Sequence, residues 1–247
     1  MFNRPKFTFA ILTWNRKAFL VQCVNSLVEN LGPADDSEIL LTDNGSTDGT
    51  WQFIETFRND PRFKISRIEQ NAGLNAYKSL IAKASGKYVV VIDDDVLLFP
   101  ADMKGIFERY LNGFPDFGFL SLDVVQNEHT NGAKPEETHY VDIHRGGLTM
   151  QLGPAGAWCA CFRRRDFRRM RFFFNRKHLS MRASHDSHLT GLLAKWLRLK
   201  SGIIKGHRCF HACGPYYAKQ HGFLDREIEK YNIDGMDAFV KAYSEFK

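Results

Sequence analysis

Residues 88–95 read Tyr-Val-Val-Val-Ile-Asp-Asp-Asp, a β-branched apolar run followed directly by three carboxylates. A continuous apolar run of this length is typical of a buried central strand in a mostly parallel sheet. Such sheets bind ligands outside the carboxyl ends of their strands, where Asp93, Asp94 and Asp95 stand. Because adjacent carboxylates raise one another's pKa, the cluster needs a compensating charge, and a divalent cation such as Mg²⁺ or Mn²⁺ supplies one. A solvated acidic loop is the alternative interpretation.

Strand and helix patterns alternate along the first half of the chain, with short connections between them. Strand patterns cover residues 7–12, 38–41, 63–68, 88–92 and 118–125, and helix patterns cover residues 17–29, 50–57 and 74–84. This order implies right-handed crossovers, so we expect an α/β fold with a Rossmann-like, mostly parallel central sheet flanked by helices. The loops that follow the strands should converge on one cleft; they are residues 13–16, 43–46, 71–73 and 93–95.

The second half of the chain is less regular, and we expect it to form a smaller mixed region. Residues 126–139 are polar and indicate a loop, and residues 158–162 resemble a strand. An amphipathic helix is predicted over residues 186–199, with its core side formed by Leu189, Leu192, Leu193, Trp196 and Leu197. A short strand at 202–205 and a closing helix over 224–243, interrupted near Gly235, complete the prediction.

The composition is that of a folded, globular chain. Its 247 residues are 44% hydrophobic and include 21 Phe, which is enough for a sizeable core and argues against disorder. No stretch approaches the ~20 apolar residues that span a bilayer. Residues 1–6 lack the apolar core of a signal peptide, and five Cys in such a chain suggest reduced thiols. We therefore expect a cytoplasmic protein with a single domain over residues 1–247.

The net charge of +6 is concentrated in residues 163–177, where cations alternate with aromatic residues. An ordinary amphipathic helix with a solvated basic face is one interpretation. The others are a nucleic-acid patch, a contact with an anionic membrane, and a surface for phosphorylated substrates. Because no recognisable nucleic-acid module surrounds the segment, we expect no specific nucleic-acid binding. Peripheral contact with the inner face of a membrane stays open.

The loops of the predicted cleft carry groups suited to a nucleotide diphosphate. Asp43 could accept a hydrogen bond from a base N–H, and Gly45 would let the backbone approach a ligand closely. Arg16 and Lys78 are candidate phosphate or base contacts. A metal held by the aspartates would bridge the two phosphates and neutralise charge on the leaving group. Ordinary turn chemistry is the alternative for residues 42–50.

Five motifs, in this order along the chain, resemble those of family 2 glycosyltransferases of the GT-A fold. They are Thr13-Trp14-Asn15-Arg16, Thr42-Asp43-Asn44-Gly45-Ser46-Thr47-Asp48-Gly49-Thr50, Asn71-Ala72-Gly73, Asp93-Asp94-Asp95, and Gly153-Pro154-Ala155-Gly156-Ala157-Trp158 followed by His185-Asp186. The resemblance extends over residues 7–213 and implies transfer of a sugar from a nucleotide-sugar to an acceptor hydroxyl. It also implies that residues 1–125 bind the nucleotide-sugar, that residues 126–223 hold the acceptor and catalytic groups, and that residues 224–247 form a C-terminal helix.

The resemblance implies roles for single residues as well. Asp43 would contact the nucleobase, while Asp93 and Asp95 would form the Asp-x-Asp pair for ribose and metal. Asp186 would be the general base that takes the acceptor proton, although it could equally be the N-cap of its helix. The donor-binding set that we expect is Thr13, Asn15, Arg16, Asp43, Gly45, Ser46, Asn71, Gly73, Lys78, Asp93 and Asp94. The expected acceptor-binding set is Gly156, Ala157, Trp158 and His185.

Two positions depart from the common family pattern. His185 stands where the motif of the base often has Glu, which affects acceptor handling. Tyr77-Lys78 stands where many members have Arg-Asn, so the diphosphate contacts are expected to differ.

Four potential metal ligands alternate towards the end of the chain: His207, Cys209, His211 and Cys213. On a strand they would share a face, but their spacing is tighter than zinc ligands usually have. We favour His211, or else His207, as an additional ligand of the catalytic Mn²⁺ or Mg²⁺, as the family resemblance suggests; core histidines are the alternative. Residues 214–219 would form a lid over the diphosphate, with Lys219 as a contact.

We predict a metal-dependent, inverting glycosyltransferase with a nucleotide-diphosphate sugar as donor, UDP-sugar being the common donor of the family. The basic segment favours a saccharide or lipid-linked acceptor, such as a precursor of a cell-envelope polysaccharide or glycoconjugate. A sugar-1-phosphate nucleotidyltransferase is disfavoured because residues 13–16 lack the glycine-rich loop expected there. A non-catalytic sugar-nucleotide-binding or membrane-associated scaffold is disfavoured because Asp43, Asp93, Asp95 and Asp186 are all present.

Overall fold

The computed structural model describes residues 4–33, 35–130 and 134–247. Its strands are β1 Phe7–Thr13, β2 Glu38–Asp43, β3 Phe63–Arg67, β4 Tyr88–Asp93, β5 Val96–Leu98, β6 Phe117–Val124, β7 Val141–Arg145, β8 Leu148–Leu152, β9 Cys159–Arg163 and β10 Lys200–His211. Its helices are α1 Lys17–Leu31, α2 Thr50–Glu55, α3 Ala76–Ala82, α4 Met103–Gly113, α5 Arg164–Arg176, α6 His185–Leu197, α7 Pro215–Gln220, α8 Leu224–Ile233 and α9 Asp237–Ser244.

The strands form one sheet in the order β3-β2-β1-β4-β9-β6-β10-β8-β7, with β5 paired to β10. The β3-β2-β1-β4 part is parallel throughout. Beyond β4 the sheet is mixed, because β9 runs antiparallel to both β4 and β6, whereas β10 runs parallel to β6. The predicted α/β fold with helices flanking a Rossmann-like sheet is confirmed, as is the mixed character of the second half.

The register of the parallel strands brings their carboxyl ends to one level. Thr13 at the end of β1 pairs with Asp43 at the end of β2, and Leu12 pairs with Asp93 at the end of β4. The loops that follow these strands therefore open at the same edge of the sheet, as the alternation of strands and helices predicts.

Helices cover both faces of the sheet, which explains why β4 is apolar at every position from Tyr88 to Ile92. Tyr88, Val90 and Ile92 point to the face covered by α1, α2 and α4. Val89 and Val91 point to the other face, where they join buried residues of α3, α5 and α6. A strand buried on both faces needs no polar alternation.

Trp196 corrects the prediction for α6. The helix was expected to place this residue in the core, but the side chain is 51% exposed. α6 packs through Leu189 and Leu193 instead, both of which are buried, while Leu192 and Leu197 are partly buried. Trp196 lies in the last turn and stacks on Phe173 of α5, which is itself exposed.

β10 is much longer than the predicted strand at 202–205. Its twelve residues run from Lys200 to His211, and the register against β6 shifts between Ile204 and Arg208. A second shift, against β5, lies between Phe210 and His211, so the simple alternation on which a shared face for His207, Cys209 and His211 depended is broken.

One smaller difference concerns the start of a helix. The predicted helix at 74–84 begins as a 3₁₀ turn, Gly73–Asn75, before α3. Residues 131–133 of the predicted loop, like residues 1–3 at the start of the chain, lie outside the described residues. The closing helix is interrupted as predicted, between α8 and α9. Within the described ranges, no helix has the length and apolar character needed to cross a bilayer.

Candidate functional site

A cavity of about 880 Å³ lies at the carboxyl edge of β1, β2 and β4, between the start of α6 and the pair α8–α9. Most of the predicted site residues line it: Thr13, Arg16, Asn71, Gly73, Asp93, Asp94, Asp95, Gly156, Ala157, Trp158, His185, Asp186 and His211. The predicted residues that do not border it are Asn15, Asp43, Gly45, Ser46, Lys78 and Lys219. The cleft inferred from the strand order is therefore present, but these six residues do not line it.

Asp43 braces the loop after β2 from within. Its carboxylate is fully buried, and Oδ1 accepts a hydrogen bond of 3.0 Å from the backbone N–H of Ser46. Ser46 Oγ in turn accepts from the N–H of Asn15 at 2.8 Å, which joins this loop to the one after β1. Arg67 Nε lies 3.4 Å from the other carboxylate oxygen. Asp43 and Ser46 thus fix the shape of the loop after β2.

Asn44, for which the sequence suggested no role, borders the cavity instead. Its side-chain amide donates to Asn71 Oδ1 at 2.8 Å and accepts from the N–H of Ala72 at 3.0 Å. Gly45 beside it has φ +82°, and a Cβ there would lie 2.8 Å from the Asn71 nitrogen. Glycine is required at this position by both the backbone conformation and the close approach of the second loop.

Asp93, Asp95 and His211 place potential metal-ligand atoms within 4.8 Å of one another. His211 Nε2 lies 3.0 Å from Asp95 Oδ1 and 3.8 Å from Asp93 Oδ2. The pairing of β10 with β5 places His211 next to the aspartates, because His211 is opposite Val96, the residue that follows Asp95. The expectation that His211 joins the acidic pair agrees with this geometry.

The four alternating residues do not form a zinc cluster: in the described part of the chain, the group of three or more potential ligands is Asp93, Asp95 and His211. Cys209 is buried in the core, and the ring of His207 packs edge-on against Tyr110 at 5.7 Å. The change of register along β10 separates these side chains.

The protonation of the cluster is set by burial and by near neighbours. Burial raises the pKa of Asp93 to about 6, while the imidazole of His211 opposes the rise. Burial also acts against ionisation of Asp95, but Arg16 and His211 together hold its pKa below the usual range. Burial would lower the pKa of His211, yet the Asp95 carboxylate outweighs it and raises that pKa. The positive charges of Arg16 and His211 thus oppose the repulsion between the buried aspartates.

Arg16 is enclosed by carboxylates. Its guanidinium lies 2.6 Å from Asp94, 2.9 Å from Asp95 and 2.8 Å from Glu227. Thr13 Oγ1 also donates to Asp94, at 2.7 Å. Asp94 consequently faces the loop after β1 rather than the metal-ligand atoms, and Arg16, expected as a phosphate contact, acts as a counterion of the acidic edge.

Asp186 lies in the first turn of α6, whose N-cap is Ser184 and not Asp186. One carboxylate oxygen accepts a hydrogen bond of 3.1 Å from the N–H of Ala157, and the other accepts from the N–H of Ser187 at 2.7 Å. The side chain thus ties the 153–158 segment to α6 while bordering the cavity. A half-buried carboxylate held in this way has a fixed direction, which a general base needs.

His185 is buried beside Asp186, with its ring stacked on Tyr77 at 3.6 Å. Neither ring nitrogen has a hydrogen-bond partner among the described residues. Burial lowers the pKa of His185, so the ring is neutral at physiological pH. Tyr77 itself donates to Asp93 Oδ1 at 3.3 Å, which links His185 and the start of α6 to the acidic edge.

The helices α8 and α9 form a wall of the cavity that the sequence did not indicate. Glu227 is buried against Arg16, and Arg226 lies over the ring of Trp14 at 4.8 Å. The remaining lining residues on this side include Lys230, Tyr231, Phe239 and Tyr243. The predicted lid at 214–219 folds as α7, in which Pro215 and Ala218 border the cavity but Lys219 points to solvent.

The comparison with protein families agrees with this fold. A sequence model of glycosyl transferase family 2 matches residues 8–182. The chain belongs to glycosyl transferase family 2.

Relatives of established name share parts of this sequence. The poly(ribitol-phosphate) β-N-acetylglucosaminyltransferase TarS of Staphylococcus aureus is 32% identical over 92 residues, which is 36% of this chain and 16% of TarS. The abequosyltransferase RfbV of Salmonella typhimurium is 28% identical over 144 residues, 54% of this chain and 43% of RfbV. The succinoglycan biosynthesis protein ExoO of Rhizobium meliloti is 22% identical over 248 residues, 97% of this chain and 69% of ExoO. The chain thus spans less than half of the first two relatives.

Solved structures share the GT-A architecture. Residues 1–349 of TarS in complex with UDP superpose with a TM-score of 0.62 at 15% identity, over 87% of this chain and 63% of that one. The mannosyltransferase PcManGT of Pyrobaculum calidifontis, in complex with GDP-Man and Mn²⁺, gives 0.63 at 18% identity, over 92% of this chain and 61% of that one. At these identities the likeness establishes the fold.

Proposed function

We propose that the protein is a metal-dependent, inverting glycosyltransferase that moves a sugar from a nucleotide-diphosphate sugar to an acceptor hydroxyl. The observation that carries this proposal is the cavity in which the cluster Asp93, Asp95 and His211 faces the same space as Asp186. A metal-binding edge and a fixed carboxylate in one cavity are the two parts that such a transfer requires.

The cluster fits a divalent cation. Two carboxylates and an imidazole converge within 4.8 Å, and His211 Nδ1 is buried without a partner among the described residues. Carboxylates suit Mg²⁺ and Mn²⁺ alike, but Mg²⁺ prefers oxygen ligands, so the imidazole favours Mn²⁺. When bound, the metal supplies charge neutralisation for the diphosphate that leaves. The known binding of Mn²⁺ by PcManGT is in keeping with this assignment.

The donor nucleotide would lie along the loops after β1, β2 and β3. Asn44, Asn71 and Gly73 present polar groups to the cavity there. Asp43, Gly45 and Ser46 hold the loop in shape, and we propose that Asp43 also reads the nucleobase at the margin of the cavity. Among the compared structures, TarS was solved with UDP and with UDP-GlcNAc, which supports a UDP-sugar as donor.

Asp186 would accept the proton of the acceptor hydroxyl as its oxygen attacks the anomeric carbon, and the nucleotide diphosphate would leave from the opposite face of the sugar. His185, neutral and with both nitrogens unpartnered among the described residues, stands ready to orient the acceptor. Gly156, Ala157 and Trp158 complete the acceptor side, since the Ala157 N–H already fixes the base.

The acceptor that we propose is a saccharide or a lipid-linked saccharide in the synthesis of a polysaccharide or glycoconjugate. The aromatic wall of Tyr231, Phe239 and Tyr243 suits the apolar face of a sugar ring. The relatives include a poly(ribitol-phosphate) β-N-acetylglucosaminyltransferase, an abequosyltransferase and a succinoglycan biosynthesis protein, which supports an acceptor of this class. One continuous sheet that carries both halves of the cavity favours a single domain over residues 1–247.

A thermal-shift comparison of UDP, GDP, dTDP and CDP, each with and without Mn²⁺, tests the proposal. We expect one nucleotide diphosphate, UDP in the first place, to raise the melting temperature only when the metal is present. The Asp95→Ala variant should lose that response. A stabilisation by nucleotide triphosphate together with sugar 1-phosphate would favour a nucleotidyltransferase, and no response to any nucleotide would favour a scaffold.

A further inference from the structure

Three large aromatic side chains are exposed together on α5 and α6. Phe172 is 64%, Phe173 40% and Trp196 51% exposed. Phe173 stacks on Trp196 at 5.2 Å, and Phe172 meets Phe173 edge-on at 5.5 Å. We call these three residues the aromatic patch. Other residues already pack α5 and α6 onto the sheet, so the patch contributes little to the core, and contiguous exposed apolar surface of this kind marks an interaction site.

Cations surround the aromatic patch. Arg176 lies over the ring of Phe172 and Lys195 over that of Trp196, each at 5.5 Å. α5 contains six arginines and one acidic residue, Asp166, which is buried. Among the described residues, Asp166 is the sole carboxylate within 4.0 Å of an α5 arginine, at 3.5 Å from Arg165. The outer side of α5 is therefore both aromatic and strongly positive.

A basic cleft of about 570 Å³ opens at the amino end of the same helix. The cations that line it are Arg4, Lys6, Lys87, Arg163, Arg164, Arg165 and Arg168, and no carboxylate lines it within the described ranges. Lys6 is paired with Glu108, and Arg163 donates to the carbonyl of Phe117 at 2.7 Å.

Four of these cations have no carboxylate within 4.0 Å in the part of the chain that the structure describes: Arg4, Lys87, Arg164 and Arg168. They line the cleft from three separate segments of the chain. Burial lowers the pKa of Arg164, and the positive charges of Arg4 and Arg168 lower it further. The cleft therefore carries positive charge that the surrounding protein does not offset, which suits phosphate groups.

We propose that the aromatic patch and the basic cleft dock the protein on an anionic phospholipid bilayer, with lipid phosphates in the cleft and the three aromatic side chains in the interfacial layer. Amphipathic surfaces that join aromatic residues to Arg and Lys bind anionic membranes in this way. The proposed contact is peripheral, because it is made by exposed side chains of α5 and α6 and by the cations of the cleft.

The shape of the patch favours lipid over single-stranded nucleic acid. Nucleic-acid platforms leave aromatic faces free for bases to stack on. Here the face of Phe173 is occupied by Trp196, and Phe172 closes the side of the pair. Rings that cover one another in this way can enter the headgroup region as a unit but cannot take a base between them.

Sedimentation of the full chain with vesicles tests the proposal without nucleotide, metal or acceptor, so its outcome is independent of the glycosyltransferase assignment. We expect binding to phosphatidylglycerol vesicles at low salt, little binding to phosphatidylcholine vesicles, and loss of binding at about 0.5 M salt. At about a fivefold change in affinity per cation near an anionic surface, R164S/R168S should bind about 25-fold more weakly.

The matched control is R58S/R109S, which removes two exposed arginines, one in the turn after α2 and one in α4, each paired with a carboxylate. It should bind phosphatidylglycerol vesicles within about twofold of the wild type, because neither arginine lines the basic cleft or belongs to the aromatic patch. Equal weakening by the two double variants would reduce the effect to net charge and overturn the proposal.

Tryptophan fluorescence tests the aromatic patch separately. Phosphatidylglycerol vesicles should shift the emission of the wild type to shorter wavelength, and W196F should lose most of the shift, since the other three tryptophans are buried or partly buried. Equal binding to both kinds of vesicle, or no binding to either, would overturn the proposal. Binding of a single-stranded oligonucleotide that R164S/R168S abolishes, without binding of lipid, would assign the surface to nucleic acid instead.

Discussion

The Glu227 carboxylate lies 2.8 Å from the guanidinium of Arg16, although the two residues are 211 positions apart in the sequence. This ion pair connects α8 to the loop that follows β1. Lys230 also contacts the Glu227 carboxylate, at 2.5 Å. Burial opposes the ionisation of Glu227, but these cations outweigh it and hold its pKa well below the ordinary value of 4.5. The ion pairs close the cavity on the side of α8 and α9.

We expect Glu227→Ala to lower the free energy of unfolding by about 3 kcal/mol, because removing one partner leaves buried cations without their counterion. Asp225→Ala, on the same helix and with a side chain 86% exposed, should cost less than about 1 kcal/mol. Urea unfolding measures both. Since the depressed pKa stabilises the fold above pH 4.5 and loses its effect as pH falls below that value, the difference between Glu227→Ala and wild type should shrink in acid. A difference that persists unchanged would contradict this account.

Removal of His211 should weaken metal binding. The loss of residues that merely support metal ligands costs about 10–100-fold in affinity, so His211→Ala should bind Mn²⁺ at least about tenfold more weakly, and Asp95→Ala more weakly still. Calorimetric titration with Mn²⁺ measures the effect. His207→Ala is the control, since this ring packs on Tyr110 away from the cluster and should leave the affinity unchanged. Equal affinity in His211→Ala and wild type would exclude the histidine as a ligand.

Metal affinity should rise with pH. A metal requires the ionised carboxylate of Asp93, whose pKa is raised to about 6, and the neutral imidazole of His211, whose pKa lies above its ordinary 6.5. Both groups must lose their protons before they bind the metal. Over the range from about pH 5.5 to about pH 8, Mn²⁺ should therefore bind most weakly at the acid end and most tightly at the alkaline end, and its binding should release protons. Titrations in two buffers of different ionisation enthalpy count those protons. A flat profile would show that these groups are not ligands.

Asp186→Asn should separate donor binding from transfer. The asparagine keeps an oxygen for the Ala157 N–H, so the local structure and the affinity for nucleotide diphosphate with Mn²⁺ should stay close to wild type. Transfer should fall by about 10²–10⁴-fold, since an amide cannot take the acceptor proton. Released nucleotide diphosphate, followed with a candidate acceptor, measures the rate. Full activity in this variant would remove Asp186 from the role of base.

Gly45→Ala should disturb the loop after β2 more than the rest of the fold. The new Cβ would meet the backbone of Asn71 at 2.8 Å, in addition to the strain of φ +82°. Gly146→Ala carries only the conformational strain, at φ +53° with open space around it, and should cost about 1–2 kcal/mol. We therefore expect a larger loss of unfolding free energy for Gly45→Ala, together with weaker nucleotide binding. An equal loss of unfolding free energy in the two variants would mean that the backbone of Asn71 moves away from the new Cβ without a measurable penalty.

The edge of the sheet at which the site lies could be predicted from the sequence, because the residue patterns that determine it are local. The run Tyr88 to Asp95 identifies a strand buried on both faces and the end at which ligands bind, and the strand–helix alternation brings the neighbouring loops to that end. His211 could be proposed from resemblance, but its approach to Asp95 depends on the pairing of β10 with β5.

Contacts between distant segments could not be predicted in the same way. No pattern in α8 distinguishes Glu227 from the charged residues of a solvated helix face, and only its contact with Arg16 gives it a role. Trp196 follows Leu189 by seven residues and so shares its side of the helix, yet its side chain is 51% exposed and stacks on the exposed Phe173 of α5. Periodicity states which side of a helix a residue is on, whereas burial depends on what lies opposite.

α6 bears Asp186 in its first turn and Trp196 in its last, ten residues and about 15 Å apart along a single rigid rod. If the aromatic end rests on a lipid surface, the length of α6 limits the height of the Asp186 carboxylate above that surface to about 15 Å. An acceptor hydroxyl would then have to lie within that distance of the headgroups, so the helix would limit how far a growing saccharide can extend before its end passes the carboxylate.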